Sequence, residues 1–479
     1  MDRRMFLGAS GALAACAALP LRAGVSSSLA IDMDVVRAAI SIHPGARRYL
    51  SEAQLADALD ELERTYLRAG SLPARFLALS AFLAKLKCGH THCNFYNQGD
   101  AVAKDLFDLR TRLPFLFRWI DGQMVVTRDL SGSGRLPPGT IVTAIDGRAP
   151  AAILAALLPL ARADGGNDAK RVAQMEVTGG ERFPAFDIFQ GLLFPPQDGA
   201  FSIAFTPPGS APATARLPAL SPEERLAAAP PLPDDGTPLW SLAQCEDGIA
   251  VLTKPTWVVY RSGWDWQAWL AERAPALYAA RGLVIDIRGN EGGLSCGDPI
   301  LARLAGEDIV LDEYRQQVRF RTLPAELDPY AVTPVPSFRT LGVGAVPLGD
   351  GFFGQDPATT PVPRIAAASP RLTTPTAILV DASNSSATFL FALRAKEHGL
   401  ATLVGSQTGG NRRGINAGAV AFVTLPGSGI EFDLPLVGYY PASPQPDRGV
   451  LPDIAVATSA ADIAAGRDPQ IEAALAHLR

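Results

Sequence analysis

Three serines, Ser383, Ser385 and Ser386, crowd a short turn between an apolar run at 377–380 and a helix that closes at Gly399. A serine where a strand meets a helix has its hydroxyl pushed out of the sheet edge. The unpaired N–H groups of the helix's first turn lie beside it and stabilise negative charge. That combination suits nucleophilic attack on a carbonyl. An ordinary helix-capping serine has the same local pattern, so the rest of the chain must discriminate. A second loop, RGNEGG at 288–293, follows an apolar run at 282–287. Its glycine pair leaves backbone N–H groups free to face a ligand. The chain has no G-x-x-x-x-G-K-[ST] pattern and no lysine near this loop, which argues against nucleotide phosphates. The glycines better suit an oxyanion hole, with Gly292 or Gly293 giving one donor and the Ala387 N–H the other.

The elements that must position these loops are legible in outline. Residues 30–110 read as a helical domain, with apolar spacing over 31–42, a capping signal at Ser51–Gln54 and an amphipathic run over 73–86 that stops at Cys88-Gly89. Residues 112–215 turn to short β-like runs. From 239 onward strands alternate with helices (248–252, 266–280, 282–287, 298–304, 377–380, then the serine helix and 401–404), which implies parallel crossovers and an α/β fold. Residues 216–238, rich in Pro, Ala and Asp, read as a linker.

At 479 residues with a net charge of −5, the chain is long enough for two or three domains and has no basic footprint for nucleic acid. Its first residues, Asp2-Arg3-Arg4-Met5-Phe6-Leu7, resemble a twin-arginine export signal. The apolar run that follows, 8–19, is too short to span a bilayer. Leu13-Ala14-Ala15-Cys16 also matches a lipoprotein signal box, so cleavage after Ala23 competes with a lipid anchor at Cys16. Either outcome places the protein in the periplasm or cell envelope, and no integral span is expected beyond it. In that oxidising setting Cys88 and Cys93 are close enough in sequence to bridge, with Cys245 and Cys296 the remaining pair.

Taken in order, LVIDIRGNEGG (283–293), VDASNSSATFLFALRAKEHGLATLVGSQTGG (380–410) and RGVLPDI (448–454) resemble the tail-specific, or C-terminal processing, peptidase family. The resemblance implies a crotonase-like α/β core, a peptide or protein substrate and no cofactor. The pattern G-x-I-x-x-x-I-D-G at 139–147 also resembles the centre of a PDZ module. The family resemblance puts the nucleophile on Ser386, with Ser385 as fallback. One branch of the family places a lysine after the second strand, where this chain has Gly409-Gly410-Asn411-Arg412. The only lysine after Ser386 is Lys396, ten residues along the same helix and so about 15 Å away. Arginine stays protonated and cannot replace it, so a Ser-Lys mechanism is excluded.

The tricorn-like and retinoid-binding-protein-like branch instead uses a histidine. Leu86-Lys87-Cys88-Gly89-His90-Thr91-His92 matches its context, which implies His90 as the base. A structural loop histidine and a zinc cluster with Cys88, His92 and Cys93 are the competing readings, but ligands this crowded fit tetrahedral zinc poorly. The same branch implies an acidic residue near 447, and Asp447 is expected to orient His90. Two departures stand out: Gly89 replaces the serine before the histidine, and Phe389 replaces a glutamate common after the nucleophile. The expected activity is that of an exported serine peptidase. The alternative is a non-catalytic protein on the same fold that binds apolar ligands or peptides.

Overall fold

The structure, a computed structural model, describes residues 24–245, 247–356 and 359–479. The export signal and Cys16 lie outside the described residues. Helices Gly24–Ile42, Glu52–Arg68 and Leu72–Lys85 open the chain. Ser51 Oγ accepts from the Gln54 N–H while the Gln54 side chain accepts from the Ser51 N–H. This reciprocal cap starts the second helix and is worth about 1 kcal/mol. Leu55, Leu59, Leu62 and Tyr66 form the buried stripe of that helix. After the third helix, Lys87 takes a left-handed φ of 51°, which turns the chain sharply into Cys88, Gly89 and His90.

Five antiparallel strands between Phe115 and Pro218 make a sheet in sequential order. The strand Ala200–Thr206 alternates between buried and half-buried positions, as a strand with one covered face does. Helix Asp168–Gln174 lies between the third and fourth strands in sequence. The 216–238 stretch is more structured than a linker. Within it Pro222–Ala228 is a helix capped by Ser221 and Glu224, and its buried Arg225 pairs with Asp187 at 3.1 Å and donates to the Leu113 carbonyl.

The α/β half is built on six strands, in the order Ile454–Ala455, Thr402–Gly405, Thr376–Val380, Gly282–Asp286, Ile249–Thr253 and Ser241–Gln244. All neighbours pair in parallel except the last, which is an antiparallel edge. Thr376–Val380 is buried at every position, as a strand covered on both faces should be. Leu379 registers with Asp286, so these two strands end at one level and their loops leave the same edge side by side.

A second sheet, four-stranded and antiparallel, is dominated by Asn416–Thr424 and Glu431–Pro441. Its Ala421, Phe432 and Leu434 share one apolar core with Val36 and Tyr66 of the opening helices. All four described cysteines are free. Cys88 and Cys93 do not bridge because they face different partners, Thr91 and Asn416 for the first and Ser80 for the second. No helix among the described residues is long and apolar enough to cross a membrane.

Candidate active site

The two loops expected to act together are lashed by a pair of buried asparagines. Asn384 Nδ2 donates to the carbonyls of Ile287 and Asn290, at 2.5 and 3.1 Å, and its Oδ1 accepts from the Asp381 N–H. Asn290 Nδ2 donates to the Lys254 carbonyl, and its Oδ1 accepts from the Gly292 N–H at 2.9 Å. Thr388 Oγ1 adds a third tie, 2.9 Å from the Asn290 carbonyl. Sequence reasoning passed over both asparagines. The available signal was an Asn two residues before Gly292 and another two before Ser386, a spacing that suits side chain-to-backbone turns.

This frame holds Ser386 at φ 54°, a left-handed conformation costing about 1–2 kcal/mol for a side chain that lacks glycine's freedom. Helix Ser386–Glu397 starts there. The N–H groups of Ser386 and Ala387 meet no acceptor among the described residues, as the first turn of a helix leaves them. Gly292 sits directly against them: a Cβ there would lie 3.0 Å from Ser386 Cβ and 3.1 Å from Ala387 N. Of the two glycines, Gly292 has its N–H committed to Asn290. The Gly293 N–H meets no acceptor among the described residues. Ser385 differs from its neighbour, because its hydroxyl donates to the Glu291 carbonyl at 3.1 Å.

His90 comes to this place from the other end of the chain. It lines a cavity of about 40 Å³ together with Asp164, Lys170, Glu291, Ser385 and Gly409. That is room for a few water molecules. The cavity wall carries Ser385, and Ser386 follows it on the same turn. Burial depresses the His90 imidazole below its ordinary value, and Asp164 opposes that only in part. A neutral imidazole at neutral pH is the form that accepts a proton. Its Nδ1 is buried without a hydrogen-bond partner among the described residues.

Asp447 does not reach His90. Its Oδ1 accepts from Tyr49 Oη at 2.9 Å, from the Gly166 N–H at 3.0 Å and from Asn411 Nδ2 at 2.7 Å. Burial works against its charge, but those hydrogen bonds outweigh burial and hold the carboxyl below the usual range. The carboxylate beside the histidine loop is Asp164. Asn411, standing where a lysine was sought, also donates to the Asp164 carbonyl.

A lysine nevertheless reaches the cavity from a segment the search had not covered. Lys170 Nζ lies 2.5 Å from Glu291 Oε1 and donates to the Ser383 carbonyl at 2.9 Å. Arg162 donates to the Gly89 carbonyl at 2.7 Å and pairs with the other Glu291 oxygen at 3.2 Å. Burial opposes the Glu291 charge, yet Lys170 and Arg162 prevail and lower its pKa. Lys170 thus acts as a fixed cation that ties the serine loop to the RGNEGG loop. Phe389, in place of a glutamate, packs under Gly410, where any Cβ would stand 2.2 Å from the ring.

Residues 249–456 match the family model described as Peptidase family S41. No curated protein matches the chain. The structure of mature CPAF complexed with lactacystin superposes with a TM-score of 0.64 at 16% identity, covering 95% of this chain and 98% of that one. The crystal structure of mature CPAF gives 0.62 at 15% identity, covering 92% and 95%. These similarities show a shared mixed α/β fold. The photosystem II D1 C-terminal processing protease is further away, with a TM-score of 0.42 at 16% identity over 90% of this chain and 93% of that one.

Proposed function

We propose that the protein is a serine-type peptidase that cleaves peptide bonds through a Ser386–His90 pair, a reading supported by the match of residues 249–456 to the model of Peptidase family S41. The observation that carries the reading is Ser386 itself, held at positive φ on a helix start whose N–H groups are free, next to the cavity that holds His90. Ser386 Oγ attacks the peptide carbonyl and its proton passes to His90. The oxyanion of the tetrahedral intermediate is held by the Ala387 N–H and by Gly293 of the glycine pair. His90 returns the proton to the leaving amine, and water then releases the acyl-enzyme by the same steps in reverse.

Residues 30–110 serve as a helical domain, 112–215 as a PDZ-like module and 239–479 as a crotonase-like peptidase domain, with an export signal ahead of them. The apolar-ligand alternative draws no support from the cavity, which is walled by Arg162, Asp164, Lys170 and Glu291.

A fluorophosphonate probe tests the assignment. Labelling is expected in the unaltered protein and in Ser385→Ala, to be lost in Ser386→Ala and to fall steeply in His90→Ala. Undiminished labelling of Ser386→Ala sinks the nucleophile.

A further inference from the structure

We propose that Asp164, supplied by the Asp164-Gly165-Gly166-Asn167 turn, is the positioning carboxylate that orients His90 through its Nδ1. This rests on the reading of His90 as the base and adds a residue to it.

Asp164 and His90 both line the cavity, and each has a buried atom with no hydrogen-bond partner among the described residues. Asp164 is 2% exposed, and while its Oδ1 accepts from the Gly89 N–H at 2.8 Å, its Oδ2 has no partner. His90 Nδ1 is likewise buried and unpaired, and with a proton it is a donor. Each such atom has lost its solvation without a replacement, and both are satisfied when an Nδ1–H bonds to Oδ2. That bond also fixes the tautomer whose Nε2 is free to accept from serine. It stabilises the imidazolium formed when the proton arrives. Catalytic hydrogen bonds are often open without substrate and close in the complex.

Asp164 is held for such a role from every side. The Gly165 N–H donates to the Lys87 carbonyl at 2.9 Å, and Arg162 Nη1 donates to the Gly89 carbonyl, so residues 162–165 clamp the histidine loop on both flanks. Gly165 takes φ 61°, and a Cβ there would stand 2.2–2.3 Å from Asn411, Asp447 and Tyr49. Asp447 therefore braces the turn that presents Asp164. Gly89 completes the fit: a Cβ there would lie 2.8 Å from Asp164 Oδ2, so any larger residue before His90 displaces the carboxylate. The charged groups around the imidazole are Asp164 and Glu291, which favour its cation, and Arg162 and Lys170, which oppose it.

The test is Asp164→Asn, which keeps the size and the oxygen that accepts from Gly89. It is assayed on a peptide substrate beside Asp447→Asn and His90→Ala. A fall in kcat of about a thousandfold or more is expected for Asp164→Asn with KM little changed. The acid limb of kcat/KM should move to lower pH, because the group that raised the His90 pKa is gone. A merely structural Asp164 would leave that limb in place.

An unshifted limb with near-normal kcat, while His90→Ala is inactive, overturns the role of Asp164 and leaves His90 as the base. Full activity of His90→Ala overturns both. Should Asp164→Asn not fold, the ¹⁵N signals of His90 in the unaltered protein, recorded with a peptide boronate bound as a tetrahedral-intermediate mimic, decide. A protonated, hydrogen-bonded Nδ1 is expected, and an Nδ1 that is unprotonated refutes the proposal.

Discussion

The serine side and the histidine side of the site are built on opposite principles. On the serine side the buried polar groups are matched: Asn290, Asn384 and Thr388 all have partners, and the strain at Ser386 is held by that network. On the histidine side Nδ1 of His90, Nδ1 of His92 and Oδ2 of Asp164 are buried and unmatched. Three such groups within two short segments are a concentration that ordinary packing avoids. The contrast teaches that the turn carrying Ser386 and its free N–H groups is fixed by its own network, whereas the polar groups beside His90 are left open for a further partner. Preorganised electrostatics belong where charge develops, whereas a base need only be positioned when it acts.

The strongest way to break this contrast is to unlash the serine side. Asn384→Ala removes two donated bonds and one accepted bond in a buried setting, and a loss of about 3–5 kcal/mol in unfolding free energy is expected from urea titration. A variant as stable as the parent would mean that the two loops hold themselves. Gly292→Ala should spare most of the stability and still cost activity about a hundredfold. Its new Cβ would press on Ser386 and Ala387, and φ 105° suits glycine alone. Steady-state hydrolysis of a peptide substrate measures it.

Acid sharpens the same contrast. Burial holds His43 neutral, pulling its pKa to about 3, and also lowers His92 well below its ordinary value. The unfolded chain takes up protons below pH 6.5 that the folded chain refuses. Stability is therefore whole above that pH and falls as pH drops from 6.5 toward 3. Each histidine contributes up to about 1.4 kcal/mol per pH unit. Urea midpoints from pH 7 to 5 should show this, with a shallower decline in His43→Gln. The smallest effect is expected from Asp447→Asn: less than about a tenfold change in kcat, since its bonds brace Gly166 and Asn411 and do not reach the imidazole.

Much of the serine side was legible because it is local. Short apolar runs at 282–287 and 377–380 located strands Gly282–Asp286 and Thr376–Val380, and the glycine and serine turns that follow located the loops. The GHTHC motif drew attention to His90, which does line the cavity beside Ser385. Asp164 and Lys170 were not legible as site residues. Their partners lie 75 and 121 positions away, and nothing in a polar turn or a short helix announces them. Lys170 lies before Ser386, outside the stretch where the family resemblance places a lysine, and the sequence pointed to Asp447 for the role proposed above for Asp164. The long strand Glu431–Pro441 also escaped notice, because Glu431, Asp433, Pro435 and Gly438 interrupt its apolar residues and read as turn or surface positions. Cys88 and Cys93 were near in sequence, but proximity along the chain does not fix the direction of a thiol.

Asn167 carries a last consequence. Its side-chain amide donates to the carbonyls of Thr408 and Gly410, joining the turn that holds Asp164 to the loop after the serine helix. These segments are separated by 241 and 243 positions, so the junction is a long-range closure with a loop-entropy cost that local contacts do not carry. On the proposed reading, a chain in which this junction is open keeps Ser386 and His90 without the tie that joins the loop after the serine helix to the turn beside the histidine.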